Sequence, residues 1–275
     1  MTLDQALRHA TGLGLDRLDA QLLVLQAMGR PTHDRAWLLA HDTDAMPPAA
    51  EATLQAAIVR RAAGEPLAYL TGHKEFFGLD LAVDARVLVP RPDTETLVEW
   101  ALEVLAPLPA ARVIDLGTGS GAIALALKAT RHDLTVMAVD ASTDALAVAQ
   151  TNAQRLQLDV RFAQGSWLAP VQGRWDAIVS NPPYIAAQDA HLAALTHEPL
   201  QALASGADGL DDIRHIITHA PAHLQSGGWL LLEHGYDQAA AVRSLLTGAG
   251  LQDVQSRCDL AGIERCSGGR LAAHK

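Results

Sequence analysis

An uncharged acceptor cluster stands at Asn181-Pro182-Pro183-Tyr184, directly after the apolar run Ala177, Ile178, Val179 and Ser180. Successive prolines lack N–H groups and have fixed φ, so their carbonyls and the Asn181 side chain can be aimed rigidly at one ligand. A planar NH2 group offers two donors. Asn181 Oδ1 and the Pro182 carbonyl can take both, while Tyr184 covers the group's face. Taken alone, an ordinary Asn-Pro turn explains the same residues equally well.

A second motif shifts that balance. Arg112-Val113-Ile114-Asp115-Leu116 leads into Gly117-Thr118-Gly119-Ser120-Gly121 and then the helical run Ala122 to Lys128. A buried strand, a glycine turn and a helix form the opening unit of a nucleotide-binding fold, where small residues let a ligand touch the backbone. The Gly-x-Gly-x-Gly spacing departs from the dinucleotide fingerprint, and it lacks the Gly-Lys-Ser/Thr ending of a phosphate loop. A second strand, Thr135 to Val139, ends in Asp140, whose carboxylate can accept both ribose hydroxyls of an adenosine cofactor.

These residues need a sheet to hold them. Trp175-Asp176 opens a buried strand that two prolines stop, so Asn181 lies at a strand's carboxyl end, the edge where open α/β sheets bind ligands. Ser142 is placed to cap a helix carrying Ala145, Leu146 and Ala149; Val160 to Ala163 and Trp229 to Glu233 read as further strands. The polar stretch Ala186 to Gly209 reads as a flap over the substrate or an ordinary connection.

Upstream, the period is helical. Leu3, Ala6, Leu7 and Ala10 share a face; Asp16 caps a second helix whose stripe is Leu18, Leu22 and Leu25; Thr32 caps a short helix with Trp37 and Leu38; Pro47-Pro48 start another through Leu54, Ala57, Ile58 and Arg61. Residues 1–72 therefore read as a helical bundle, which either binds a partner or serves as cover. Alternation at Leu79, Leu81 and Val83, followed by Val87, Leu88 and Val89, predicts a β-hairpin linker over 73–90. Residues 91–275 form the main domain. Capping and first-turn charge account for Asp93, Thr94 and Glu95 but leave Arg91, between two prolines, unexplained.

With 275 residues, 49% of them hydrophobic, the chain can bury a core. Asp+Glu 31 against Lys+Arg 21 gives a formal charge of −10, which weighs against a nucleic-acid partner. No apolar stretch is long enough to span a membrane, no basic-then-apolar leader opens the chain, and only Cys258 and Cys266 are present, so the expected compartment is the cytoplasm. His215, His219 and His223 recur at helical spacing, but Ile213, Ile216, Ile217, Ala220 and Leu224 form the core stripe beside them. The histidines are read as a solvated face, and no metal is expected.

Together, the glycine loop, the strand-end acid and Asn181-Pro182-Pro183-Tyr184 resemble S-adenosylmethionine-dependent methyltransferases that act on planar exocyclic or amide nitrogens. Pro90-Arg91-Pro92-Asp93-Thr94-Glu95, Glu198-Pro199, Asp208-Gly209-Leu210 and Asp259-Leu260-Ala261-Gly262 narrow the resemblance to bacterial peptide chain release factor glutamine methyltransferases, over essentially the whole chain. The resemblance implies a Rossmann-like α/β fold: a seven-stranded methyltransferase sheet whose last strand runs antiparallel, preceded by a helical bundle that binds substrate and a hairpin. It implies S-adenosyl-L-methionine as cofactor, held by Gly117, Thr118, Gly119, Ser120, Gly121 and Asp140, with Trp167 near the adenine and Asn181 at the methyl. It assigns Asn181, Pro182, Pro183 and Tyr184 to the glutamine of a Gly-Gly-Gln loop, with Asn181, Pro182 and Tyr184 as the catalytic set. Ser166 stands where the family often has an acid, and a hydroxyl there still accepts a hydrogen bond. Alternatives are glutamine methylation of a ribosomal protein, amino-group methylation of a DNA or RNA base, and a non-catalytic adenosine-cofactor or partner-binding module.

Overall fold

The computed structural model describes residues 1–273, which divide into two compact units, Met1–His73 and a second from Lys74 onward. In the first, Thr2 closes a capping box on α1 (Leu3–Gly12), its side chain accepting from the Gln5 N–H while the Gln5 side chain accepts from the Thr2 N–H. Asp16 caps α2 (Arg17–Ala27) by accepting from the Asp19 N–H at 2.8 Å. The short α3 (Arg35–Ala40), the long α4 (Pro48–Ala62) with proline in its first turn, and α5 (Leu67–Thr71) complete the unit. Leu3, Leu23, Leu25, Leu38, Leu54 and Ile58 are fully buried in its core.

Two expectations fail here. Leu18 is exposed, and the buried face of α2 is Ala20, Leu23, Val24 and Leu25. Apolar residues surround nearly the whole helix, so spacing cannot select the face and packing does. Thr32 does not cap α3, which begins after Asp34 with no side-chain cap.

Starting at the last residue of the first unit, a hairpin pairs β1 (His73–Phe76) with β2 (Leu79–Ala82) through a turn at Phe77 and Gly78, both at positive φ. Sequence alternation places one strand correctly but its partner wrongly. Val87, Leu88 and Val89 form no strand, because the Val89 N–H donates to the Glu198 carboxylate instead of to a neighbouring strand. A 3₁₀ turn, Pro92–Thr94, then leads into α6 (Glu95–Leu105).

The main sheet follows from alternating elements: β3 (Arg112–Leu116), α7 (Ala122–Thr130), β4 (Thr135–Asp140), α8 (Thr143–Leu156), β5 (Arg161–Gln164), β6 (Trp175–Ser180), α9 (Asp211–His223), β7 (Leu224–Glu233), α10 (Ala239–Gly248), β8 (Gln252–Cys258) and β9 (Glu264–Arg270). Its seven strands run in the order β5-β4-β3-β6-β7-β9-β8, parallel except that β9 lies antiparallel to both β7 and β8. The fold implied by the resemblance is the one found. Ser142 caps α8 by accepting from the Ala145 N–H.

The core sits between the sheet residues Ile114, Leu116, Ile178, Leu230 and Leu232 and the α9 residues Ile213, Ile216, Ile217 and Ala220. Each such burial contributes about 1.5 to 3 kcal/mol. On α9 the predicted core stripe is buried; His215 and His219 are exposed, with their rings 4.3 Å apart. Among the described residues no group of His, Cys, Asp and Glu is arranged to hold a metal, and no helix is long and apolar enough to cross a membrane.

The order in which strands are added reverses between β3 and β6, although the two run parallel. β3 leads on to β4 at one side, while β6 pairs with β3 at the other. Loops leaving adjacent carboxyl ends on either side of such a switch point diverge and leave a crevice.

Candidate active site

The carboxyl ends of β3, β4 and β6 open onto a cavity of about 500 Å³, within the size range of small-molecule sites. Gly117 and Gly119 from the β3 end, Asp140 from the β4 end, Ser166 and Trp167 after β5, and Asn181 and Pro183 from the β6 end line it. Loop residues Arg86, Val87 and Leu88, and Pro199, Gln201 and Ala202 from the polar segment before α9, also line it. The structure thus brings together Gly117, Gly119, Asp140, Trp167, Asn181 and Pro183. Thr118, Ser120, Gly121, Pro182 and Tyr184 do not line the cavity.

The glycine loop is held by its own neighbourhood. Gly117 and Thr118 donate to the Val139 carbonyl at 2.8 and 3.0 Å, and the Gly119 N–H donates to Asp140 Oδ2 at 2.9 Å. Asp115 anchors the loop from beneath, accepting from the Thr118 hydroxyl at 2.6 Å and the Ala124 N–H at 3.2 Å. Its other oxygen, Oδ1, is buried without a partner, and burial pushes its pKa up to about 7. Gly117 has φ +70°, and a Cβ there would lie 3.1 Å from the Trp167 ring. Trp167 is fixed in turn: its Nε1–H donates to Asp212 Oδ1 at 3.1 Å, and Asp212 Oδ2 accepts from the Ser205 hydroxyl at 2.6 Å.

These features fit an adenosine cofactor. Asp140 holds one backbone N–H on each oxygen, from Gly119 and Ser142, and keeps lone pairs for two vicinal hydroxyls. Bare glycine backbone and an indole wall give a flat base room that one added Cβ would reduce.

At the β6 end, Asn181 Nδ2 donates to Thr94 Oγ1 at 3.2 Å, which leaves Asn181 Oδ1 as the acceptor still to be used. The Ser180 hydroxyl ties this strand end to β3 through the Leu116 carbonyl at 2.6 Å. The Tyr184 hydroxyl donates to Glu233 Oε1 at 3.4 Å. Burial, reinforced by the Glu233 carboxyl, pushes the phenol well above its ordinary pKa, so it stays a donor. Gln238 donates to the Tyr184 carbonyl at 3.0 Å. Gly209, at φ +76°, passes so close that a Cβ would fall 2.1 Å from that carbonyl, which is why this position needs glycine.

Sequence reasoning missed several of these supports. Neither Asp93 nor Thr94 makes a side-chain cap on α6, while Glu95 does stand in its first turn. Thr94, 4% exposed, serves Asn181 instead; Glu95 accepts from the Phe77 N–H; Asp93 pairs with Arg265 at 3.7 Å. Arg91 has its explanation in an ion pair with the buried Glu198. The turn Asp259–Gly262 is self-bonded, with Asp259 accepting from Ala261 and Ile263. Glu233, Asp212 and Asp115 draw no role of their own from the sequence; Glu233 and Asp115 lie in strands beside the site, and Asp212 looks like an ordinary first-turn acid of α9.

A glycine loop, a strand-end acid and an acceptor tetrapeptide on adjacent strand ends of this sheet define a methyltransferase domain, and residues 94–241 match the methyltransferase small domain family. Residues 4–72 match the PrmC N-terminal domain. A Bordetella pertussis protein called release factor glutamine methyltransferase is 53% identical over 94% of this chain and 96% of its own length. One of the same name from Burkholderia pseudomallei is 49% identical over 94% and 93%. The chain belongs to the release factor glutamine methyltransferase family. In fold alone it is also similar to a Pyrococcus furiosus methyltransferase structure, with TM-score 0.55, 19% identity, and coverage of 79% of this chain and 98% of that one.

Proposed function

We propose that this enzyme moves a methyl group from S-adenosylmethionine to the side-chain amide nitrogen of the glutamine in the Gly-Gly-Gln motif of peptide chain release factors. The observation that carries this reading is the fixed Asn181 amide. With its NH2 given to Thr94, its oxygen is left as an uncharged acceptor in the cavity that Gly117, Gly119 and Asp140 also line. When bound, the cofactor supplies an electrophilic methyl group on a sulfonium.

This chain's residues do the rest. Asp140 takes the ribose hydroxyls, the glycine loop gives the cofactor a backbone floor, and Trp167 walls the adenine, with Ser166 beside it. Asn181 Oδ1, which lines the cavity, accepts one N–H bond of the substrate amide, and the Pro182 carbonyl, set back between Asn181 and Pro183, takes the second as the glutamine seats. Holding both fixes the nitrogen and concentrates electron density on it, which favours in-line attack. Positive charge grows on nitrogen during transfer and makes the later proton loss easy, so no strong base is needed at attack. Pro183 shapes the wall, and Tyr184 braces the tetrapeptide from behind through Glu233 and Gln238. The helical unit, here taken as residues 1–72, binds the body of the release factor, 73–90 links it, and 91–275 is catalytic.

The test is to incubate the protein with labelled cofactor and a release factor and to locate the methyl by mass spectrometry. One methyl on the Gly-Gly-Gln amide nitrogen is expected. Label confined to a ribosomal protein or to nucleic acid, or no transfer at all, overturns the reading.

A further inference from the structure

Glu198 is 7% exposed and lies in the polar segment between Tyr184 and α9, immediately before Pro199. Its Oε2 accepts from the Val89 N–H at 3.0 Å, and its Oε1 accepts from the Arg91 guanidinium. Arg86, Val87 and Leu88 stand just before Val89, and Pro199, Gln201 and Ala202 just after Glu198; all six line the cavity. One carboxylate therefore joins two stretches of wall from distant parts of the chain. The polar segment is also closed at its base beside the tetrapeptide, where the Ile185 N–H donates to the Leu203 carbonyl and the Ser205 N–H to the Ile185 carbonyl, both at 2.9 Å. The limb Pro199–Ala202 is thus fastened at both ends, by Glu198 before it and by Leu203 after it. Arg91, for its part, opens the turn that holds Asn181: the Thr94 N–H donates to the Arg91 carbonyl at 3.1 Å, and Thr94 Oγ1 accepts from Asn181.

We propose that Glu198 is a positioning residue for the substrate: its carboxylate clamps the Pro199–Ala202 limb to the Arg86–Arg91 segment, and the rim so formed holds the glutamine side chain at Asn181. Leu88, Pro199 and Ala202 bring half-buried apolar groups to the cavity that Asn181 and Pro183 also line, which suits the two methylenes of a glutamine whose amide goes to Asn181. A fixed rim also keeps water from competing for Asn181 Oδ1 as the amide seats. The clamp needs an ionised carboxylate, which offers an acceptor to the guanidinium and another to the N–H. An amide of the same shape offers one acceptor and turns an NH2 toward the other donor. Without the clamp the limb stays tethered at Ile185, but its wall residues are free to shift, and small shifts in groups that position a reactant are costly in rate. The loss falls on the glutamine and not on the cofactor, because the glycine loop and Asp140 are bonded within their own strand–loop–helix–strand unit.

This inference rests on the proposed glutamine transfer, and the experiment separates the two. kcat and KM for a release factor are measured at saturating cofactor, with cofactor affinity followed by calorimetry and folding of each variant checked by its melting temperature. Glu198→Ala is expected to lower kcat/KM about ten- to a hundredfold, and Glu198→Gln, which keeps one acceptor, about three- to tenfold, both with cofactor affinity within about threefold of wild type. Arg91→Ala, at a side chain 39% exposed, is the milder change to the fold and is expected to match Glu198→Gln, while Arg91→Lys recovers most of the rate. Because Arg91 acts through the carboxylate, Glu198→Ala combined with Arg91→Ala should be no slower than Glu198→Ala alone. If Glu198→Ala does not fold, Glu198→Gln and Arg91→Ala decide. Wild-type kinetics in those two variants, losses that multiply in the double variant, or a cofactor affinity that falls as far as the rate would overturn the positioning role. A wild type that methylates no release factor would instead bring down the function reading, and this inference with it.

Discussion

The two halves of the site are built by different means. The cofactor half is local: Gly117 and Thr118 bond to Val139, Gly119 and Ser142 to Asp140, and Thr118 to Asp115, all within one strand–loop–helix–strand unit. The acceptor half is assembled from afar, Asn181 by Thr94, Tyr184 by Glu233 and Gln238, and the segment before it by an Arg91–Glu198 pair. A backbone-built half needs particular backbone conformations; a half built from side chains needs the whole fold to be in place first. Damage to one should leave the other largely intact.

Gly209→Ala is the harshest way to break the acceptor half from outside it. The new Cβ would fall 2.1 Å from the Tyr184 carbonyl at a φ of +76°, so the tetrapeptide must move. Strain and displacement of this kind cost about 2 to 4 kcal/mol, and a shift of about 1 Å in a positioning group can cost about a hundredfold in rate. Single-turnover methylation should therefore fall at least about a hundredfold, with cofactor affinity, measured by calorimetry, within about threefold of wild type. Equal loss of both would mean that the halves are not separable.

The cofactor half has a smaller weakness, the buried Asp115 carboxyl, raised to about 7. A raised folded pKa means that the folded protein keeps a proton the unfolded chain gives up. This stabilisation is fully present below the unfolded carboxylate range and is lost as pH climbs through about 7. Asp115→Asn does not titrate. Its melting temperature relative to wild type should rise by a few degrees between about pH 5 and pH 8, because wild type loses ground while the variant does not. Comparison with wild type cancels the same effect at Glu233, whose buried carboxyl is likewise raised to about 7. A difference that stays flat with pH would remove the desolvated carboxyl from the account.

The same contrast decides what could be read from the sequence. The glycine loop, Asp140 and the Ser142 cap are legible because each is fixed by residues close along the chain, and the α9 core stripe because apolar spacing on one face marks burial whatever it packs against. Thr94 was read as a helix cap because its partner Asn181 is 87 residues away; locally, a threonine before a helix looks the same in either role. Val87 to Val89 looked like a strand because apolar type records burial and not hydrogen bonding, and Glu198 supplies the bond a strand would have made. His73–Phe76 lies inside the expected hairpin, but nothing in its residues marks it as a strand, because its face is mostly exposed and lacks the alternation of Leu79 to Ala82. Arg91 had no local reason, and its reason is Glu198.

The central claim is that Asp140 binds cofactor while Asn181 performs transfer, and one paired measurement addresses it directly. Cofactor affinity by calorimetry and single-turnover methylation of a Gly-Gly-Gln release factor at saturating cofactor are compared for Asn181→Ala and Asp140→Ala. An unpaired hydrogen-bonding group in a desolvated site costs about 1 to 3 kcal/mol, so each variant should lose about ten- to a hundredfold, but in different quantities. Asp140→Ala is expected to weaken cofactor binding and recover most of its rate at saturation; Asn181→Ala is expected to bind cofactor nearly as wild type and to stay slow. Wild-type single-turnover methylation by Asn181→Ala at saturating cofactor would contradict the account and place the acceptor of the substrate amide elsewhere.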